Sequence, residues 1–187
     1  MTVFNRKTMG WVMVLALAVT ILLTGFGGKD ETEVLQVVLV NPEGKAVGEA
    51  TLRETNSGVL IHVRAQELQP GKHALHIHEF GLCEGPEFTS AGGHFNPYNK
   101  EHGFENPKGP HAGDLPNVYV TPQGTLEVEV LAHQVTLKKG KKNSLVRKDG
   151  ATLMLHAMED DYRTNPAGNA GARVVCGVIS PKEMEKK

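Results

Sequence analysis

Thr121-Pro122-Gln123-Gly124-Thr125-Leu126-Glu127-Val128-Glu129-Val130-Leu131 is the stretch on which the fold class turns. A Pro/Gly turn is followed by strict apolar and charged alternation. Successive side chains of an extended strand point to opposite faces, so period two puts Leu126, Val128 and Val130 on one side and both glutamates on the other. Working outward, runs of similar character recur at 34–40, 50–53, 58–64, 73–79, 117–121, 152–157 and 173–179, which with 126–131 makes eight strands. Turn signals separate them, among them Asn41-Pro42-Glu43-Gly44, Asn56-Ser57-Gly58, Gln69-Pro70-Gly71 and Lys148-Asp149-Gly150. No stretch after the export segment offers a persuasive amphipathic helix, because Gly and Pro recur and alternation with period two dominates. The expectation is an all-β sandwich or barrel.

Two segments are too rich in turn residues to be strands. Residues 81–115 hold four prolines, seven glycines and three histidines, and 160–172 hold Pro166, Gly168 and Gly171. Long loops inside a compact domain are usually functional or disordered, and the three histidines in the first argue for order imposed by something bound. Of nine histidines, His76 and His78 stand two apart in an expected strand, so both rings project from one face while Leu75 and Ile77 face the other. His94, His102, His111 and Asp114 follow in the long loop, and His156 lies on a later strand. Each taken alone reads as an ordinary surface or hydrogen-bonded histidine. Seven donors around one loop read as a metal site.

Imidazole with a single carboxylate suits zinc or copper, whereas calcium and magnesium want oxygen shells. Three histidines with Asp114 would close a structural tetrahedron around zinc. His76, His78 and His156 would supply a second, all-nitrogen site with an open position, as a redox-active copper requires. His62 and His133 fall outside these groups and read as exposed or hydrogen-bonded side chains. The basic run Lys138-Lys139-Gly140-Lys141-Lys142 reads as a solvated loop.

Composition bounds the rest. The 187 residues are 40% hydrophobic and 22% charged, with a formal charge of -1, which fits one soluble domain and excludes intrinsic disorder and a multi-span membrane protein. Charges of both signs are mixed throughout, so no nucleic-acid partner is expected. Arg6 and Lys7 precede an apolar run from Trp11 to Leu23, which makes residues 1–28 an export signal or, if uncleaved, an N-terminal membrane segment. Leu23-Thr24-Gly25-Phe26 resembles a lipobox, but Phe26 stands where the lipid-bearing cysteine belongs, so lipidation is not expected. A charged linker at 29–33, a domain at 34–180 and a charged tail at 181–187 complete the organisation. Removing the first 28 residues leaves 18 bases against 21 acids, a formal charge of about -3. Export places the chain in an oxidising, extracytoplasmic compartment, secreted or at the cell surface. There the only two cysteines, Cys83 and Cys176, read as one disulfide, with two independent buried thiols as the alternative.

The strings His76-Ile77-His78-Glu79-Phe80-Gly81, Thr89-Ser90-Ala91-Gly92-Gly93-His94-Phe95-Asn96-Pro97, His102-Gly103, His111-Ala112-Gly113-Asp114-Leu115-Pro116-Asn117, His156-Ala157, Gly168-Asn169-Ala170-Gly171-Ala172-Arg173 and Cys176-Gly177-Val178-Ile179 resemble copper/zinc superoxide dismutase of bacterial type. The resemblance covers nearly all of 34–180. It implies an eight-stranded Greek-key barrel, one copper and one zinc per subunit, and disproportionation of superoxide to oxygen and hydrogen peroxide. Residue by residue, it implies copper at His76, His78, His94 and His156, and zinc at His94, His102, His111 and Asp114, so that His94 bridges. Asp160 matches a carboxylate linking a copper ligand to a zinc ligand. His73 matches a structural histidine, and Arg173 matches the guanidinium that attracts and hydrogen-bonds the anion. His94 and Arg173 are thus the implied catalytic residues. A homodimer is compatible with the resemblance. Residues 161–168 are shorter than the family's usual electrostatic loop, which puts steering in doubt and leaves Arg163 or Lys108 as substitutes.

Overall fold

The computed structural model describes residues 34–180, so the export segment, the linker at 29–33 and the tail at 181–187 lie outside the described residues. Nine strands are present among them: β1 Val34–Val40, β2 Ala46–Thr55, β3 Gly58–Ala65, β4 Gly71–His73, β5 Leu75–His78, β6 Val118–Val120, β7 Leu126–Ala132, β8 Ala151–His156 and β9 Arg173–Ser180. A single 3-10 turn, Thr89–Ala91, interrupts the long loop. The alternation in β7 is realised as expected, with Leu126, Val130 and Ala132 buried and Glu127, Glu129 and Leu131 exposed.

Seven strands form one antiparallel sheet in the order β5-β8-β9-β1-β2-β3-β7, and β4 pairs with β6. The two-stranded piece joins the sheet's free edges. β6 leads into β7 through a tight turn in which Thr121 N donates to Thr125 O (2.9 Å), and β4 runs on through Ala74 into β5. The sheet thereby curls into a barrel. Its interior is filled by Val37, Leu39, Leu52, Ile61, Val63, Leu75, Ile77, Leu153 and Leu155, among others. Each such side chain contributes roughly 1.5–3 kcal/mol on burial.

The single strand expected at 73–79 is instead two. At Ala74 the chain changes partner: His73 pairs with Val118, whereas Leu75 pairs with Leu155. Between them Ala74 N donates to Met158 O (2.8 Å) and His156 N donates to Ala74 O (3.0 Å). Side-chain alternation continues smoothly through such a switch, so the sequence carries no mark of it.

The outer wall of β5, β8 and β9 is also buried. His76, Met154 and Cys176 lie in one cross-strand row, because His76 pairs with Met154 and Met154 with Cys176. The loop after β5 folds back over this row, packing Phe88 and Ala91 against Met154 and Cys176, and the Cys83–Cys176 disulfide pins it there. This covered outer wall carries the histidines.

Candidate metal centre

β5 presents His76 and His78 outward, and the loop 79–117 is stitched alongside it by backbone hydrogen bonds. Glu79 N donates to Gly93 O (3.0 Å), Phe95 N to Ile77 O (2.8 Å) and Ile77 N to Gly113 O (2.9 Å). The approach at Gly113 is so close that a Cβ there would lie 2.3 Å from Ile77 O. These contacts set His94 opposite His78 and Asp114 opposite His76. His156 closes β8 and pairs with Arg173 at the start of β9. All seven donors are buried.

They fall into two groups, His76, His78, His94 and His156 in one and His94, His102, His111 and Asp114 in the other, the donor atoms within each lying within 4.8 Å of one another. His94 belongs to both. Its Nδ1 lies 2.8 Å from Asp114 Oδ1, and its Nε2, turned toward the first group, has no hydrogen-bond partner. Asp114 Oδ1 is also approached by His102 Nδ1 (3.1 Å) and His111 Nδ1 (3.2 Å). The first of these lacks hydrogen-bonding geometry. Asp114 Oδ2 accepts from the backbone N–H of Gly103 and of His111, both at 2.9 Å.

In the first group the outer ring nitrogens are anchored and the inner ones converge. His78 Nδ1 lies 3.0 Å from Gly92 O, and His156 Nδ1 lies 3.3 Å from Gly171 O. With those nitrogens donating, both Nε2 atoms, 3.4 Å apart, are left with lone pairs. His76 Nε2 meets Asp160 Oδ2 at 2.8 Å, which leaves His76 Nδ1 free. Asp160 Oδ1 lies 2.9 Å from His102 Nε2, so one buried carboxylate orients a ring of each group. His73 is no donor: its Nδ1 lies 2.8 Å from His156 O and its Nε2 2.8 Å from Gln69 O.

The electrostatics favour cation binding. Burial, with His76 and His94 adding repulsion, lowers His156 to about 3, and burial lowers His94 to about 4 despite its bond to Asp114. His78 is likewise held well below its ordinary value by burial and by neighbouring His94 and His156. Their nitrogens are therefore unprotonated donors at neutral pH. Burial opposes charge on His102, but hydrogen bonds to Asp114 and Asp160 overcome it and raise this ring to about 9. Burial would raise both aspartates, yet their histidine partners hold them well below the carboxylate range. The residues fit two metals. Buried His76 Nδ1, His94 Nε2 and His102 Nδ1 lack partners, and each such atom costs about 1–3 kcal/mol unless something coordinates it. An all-imidazole set suits copper, and three imidazoles with one carboxylate suit zinc.

Arg173 stands beside the first group. Its Nη1 donates to Phe88 O (2.5 Å) and its Nη2 to Gly92 O (2.6 Å), and its charge helps to depress His78 and His156. Arg163 and Lys108 are less suited to attracting an anion, since Arg163 is ion-paired with Glu105 and Lys108 with Glu101 (3.1 Å). His62 Nε2 lies 3.4 Å from Glu127, away from both groups, and His133 is exposed.

Several residues that hold the site were not singled out by the sequence. Asn117 clasps the backbone of Asp160, its Oδ1 accepting from Asp160 N (2.8 Å) and its Nδ2 donating to Asp160 O (2.9 Å). Tyr162 N donates to Asp160 Oδ1 (2.6 Å), Tyr162 OH accepts from Asn117 N (2.7 Å), and Asn165 Oδ1 accepts from His102 N (2.9 Å). The only signal was that polar residues recur where two Pro/Gly-rich loops meet.

Comparison with known proteins agrees with this geometry. The family profile described as "Copper/zinc superoxide dismutase (SODC)" matches residues 46–179. "Superoxide dismutase [Cu-Zn] 2" of Aquifex aeolicus is 56% identical over 142 residues, covering 75% of this chain and 83% of the relative. "Superoxide dismutase-like protein YojM" of Bacillus subtilis is 51% identical over 145 residues, covering 76% and 74%. Among solved structures, a SOD-like protein from Bacillus subtilis superposes with a TM-score of 0.75 at 50% identity, covering 77% of this chain and 97% of that one. The Cu/Zn superoxide dismutase of Brucella abortus superposes with a TM-score of 0.64 at 32% identity, covering 79% and 99%.

Proposed function

The chain belongs to the copper/zinc superoxide dismutase family, and we propose that it converts two superoxide ions and two protons into oxygen and hydrogen peroxide outside the cytoplasm. Relatives named both dismutase and dismutase-like share the fold, so family alone does not carry the activity. The observation that carries it is the complete all-histidine set of His76, His78, His94 and His156, with the buried nitrogens of His76 and His94 left without partners. His94, His102, His111 and Asp114 would hold zinc. Copper bound by the first set supplies a one-electron redox couple, and zinc in the second supplies fixed charge without redox chemistry.

The chain's own residues do the remainder. Arg173 offers a guanidinium that can attract a small anion and hydrogen-bond it, and its two carbonyl contacts fix its aim. With His94 Nδ1 held by Asp114, Nε2 is left without a hydrogen-bond partner, so it is the atom of this ring at which a proton could be held and passed to the departing product. Asp160 holds the rings of His76 and His102 in place, so the two groups keep their relative orientation. The Cys83–Cys176 disulfide suits an oxidising compartment and supports the extracytoplasmic assignment.

The test is to measure metal content and superoxide consumption together in the purified domain. One copper, one zinc and fast consumption are expected. One zinc with no consumption after copper reconstitution would replace this reading with a zinc-stabilised scaffold.

A further inference from the structure

Gly92 and Gly93 make a soft joint in the loop beside the metal centre. Neither has a side chain to oppose rotation of the peptide plane between them. A stiffer residue does not fit at 92: the backbone there has φ 73°, and a Cβ would lie 2.5 Å from Phe80 Cδ2 and 2.8 Å from Glu79 Oε1. Yet this plane has to be fixed, because two parts of the centre are aimed on its carbonyl. Gly92 O lies 3.0 Å from His78 Nδ1 and accepts from Arg173 Nη2 at 2.6 Å.

The 92–93 bond is trans, and across a trans peptide the carbonyl and the following N–H point in opposite directions, so whatever holds one sets the other. Here the far side is held by the half-buried Glu79. Its Oε1 accepts from Gly93 N at 3.0 Å, and its own backbone N–H donates to Gly93 O at 3.0 Å. One residue thus grips Gly93 by both of its polar groups. We infer that Glu79 is a positioning residue for superoxide chemistry, locking the 92–93 peptide with its carbonyl turned toward His78 and Arg173. A carboxylate makes a stronger hydrogen bond than a neutral acceptor. Pulling on the N–H end of the peptide also polarises the carbonyl end toward its partners. Without this clamp the plane is free to turn, and the copper-side ring and the guanidinium lose their common anchor.

This role rests on the dismutase reading, and its test compares Glu79→Ala with Glu79→Gln in the full chain loaded with copper and zinc. Both variants lose the same charge, but only glutamine keeps a side-chain oxygen that can accept from Gly93 N. The difference between them is therefore the clamp alone. Solvent exchange of the Gly93 amide, read by NMR in the diamagnetic copper(I) form, is expected to be at least about tenfold faster in Glu79→Ala than in Glu79→Gln. The alanine variant should consume superoxide about three- to tenfold more slowly than the glutamine variant, the effect of losing one positioning hydrogen bond. Its rate should also depend less on salt, because Arg173 is no longer aimed, and its copper(II) spectrum should shift where that of Glu79→Gln stays native. Equal Gly93 exchange in the two variants, equal rates, or slower consumption accounted for by lost copper would each overturn the assignment. A native chain that consumes no superoxide would remove the dismutase reading instead, and the clamp on His78 and Arg173 would then stand or fall on the Gly93 exchange and the copper(II) spectrum.

Discussion

His94 is the residue on which both donor groups depend, and His156 serves only one of them. His156→Ala should therefore abolish superoxide consumption while zinc stays bound, which metal analysis beside an activity assay would check; full activity would refute the copper assignment. Gly168, at φ 63°, holds a different constraint: a Cβ there would lie 1.9 Å from Asp160 Oδ1 and 2.6 Å from His102 Nε2. Gly168→Ala should destabilise the fold by about 1–3 kcal/mol and weaken zinc retention, read from a denaturant midpoint and a chelator titration. Protonation gives a third expectation, for the metal-free chain. His94 and His156 titrate in the fold at about 4 and about 3 against an ordinary 6.5, so their contribution is present above 6.5 and is lost as pH falls toward those values. His102, raised to about 9, contributes below 6.5 and its share is lost as pH rises through 9. Denaturant midpoints should peak near neutrality and fall on both sides; a flat profile between pH 4 and 9 would contradict this. The donor side chains that the fold gathers were legible in the sequence because donor type is written in residue type. The carbonyls of Phe88, Gly92 and Gly171 that aim Arg173, His78 and His156 were not, since every residue has a carbonyl and only the fold selects which ones serve.

At the level of elements, β5 and the loop 79–117 act as one unit. The loop's first part is held by Cys83 to β9, and it carries both carbonyls that anchor Arg173. Cys83→Ser/Cys176→Ser should cost about 2–5 kcal/mol, because the disulfide closes a sequence separation of 93 residues. It should also slow superoxide consumption, because Arg173 loses a fixed anchor. Chemical denaturation and turnover of the fully metallated variant would report the two effects separately; unchanged turnover would detach Arg173's aim from the disulfide. Strand positions were mostly legible from alternation and turn residues, although β2 extends to Ala46–Thr55 beyond the expected 50–53. The break at Ala74 was not, because it is a change of partner rather than of pattern.

For the molecule as a whole, charge and closure matter most. A formal charge of about -3 without the first 28 residues repels a small anion, yet at physiological salt the Debye length is about 8 Å, so local charge outweighs the distant total. Superoxide consumption should accordingly slow as salt rises, and Arg173→Glu should both slow it and flatten that dependence. A native rate that climbs with salt would instead make the overall negative charge dominant. The β class was plain from the sequence, but sheet order was not: β5 neighbours β8 and β1 neighbours β9, pairings between distant segments that no local window records. Two of those strands, β5 and β9, meet the long loop at Gly92, whose carbonyl oxygen lies 3.0 Å from His78 Nδ1 and 2.6 Å from Arg173 Nη2. A strand end, the loop beyond it and a strand 81 residues further on thus share a single atom, so a shift of that carbonyl would disturb a candidate copper donor and the anion-attracting guanidinium together.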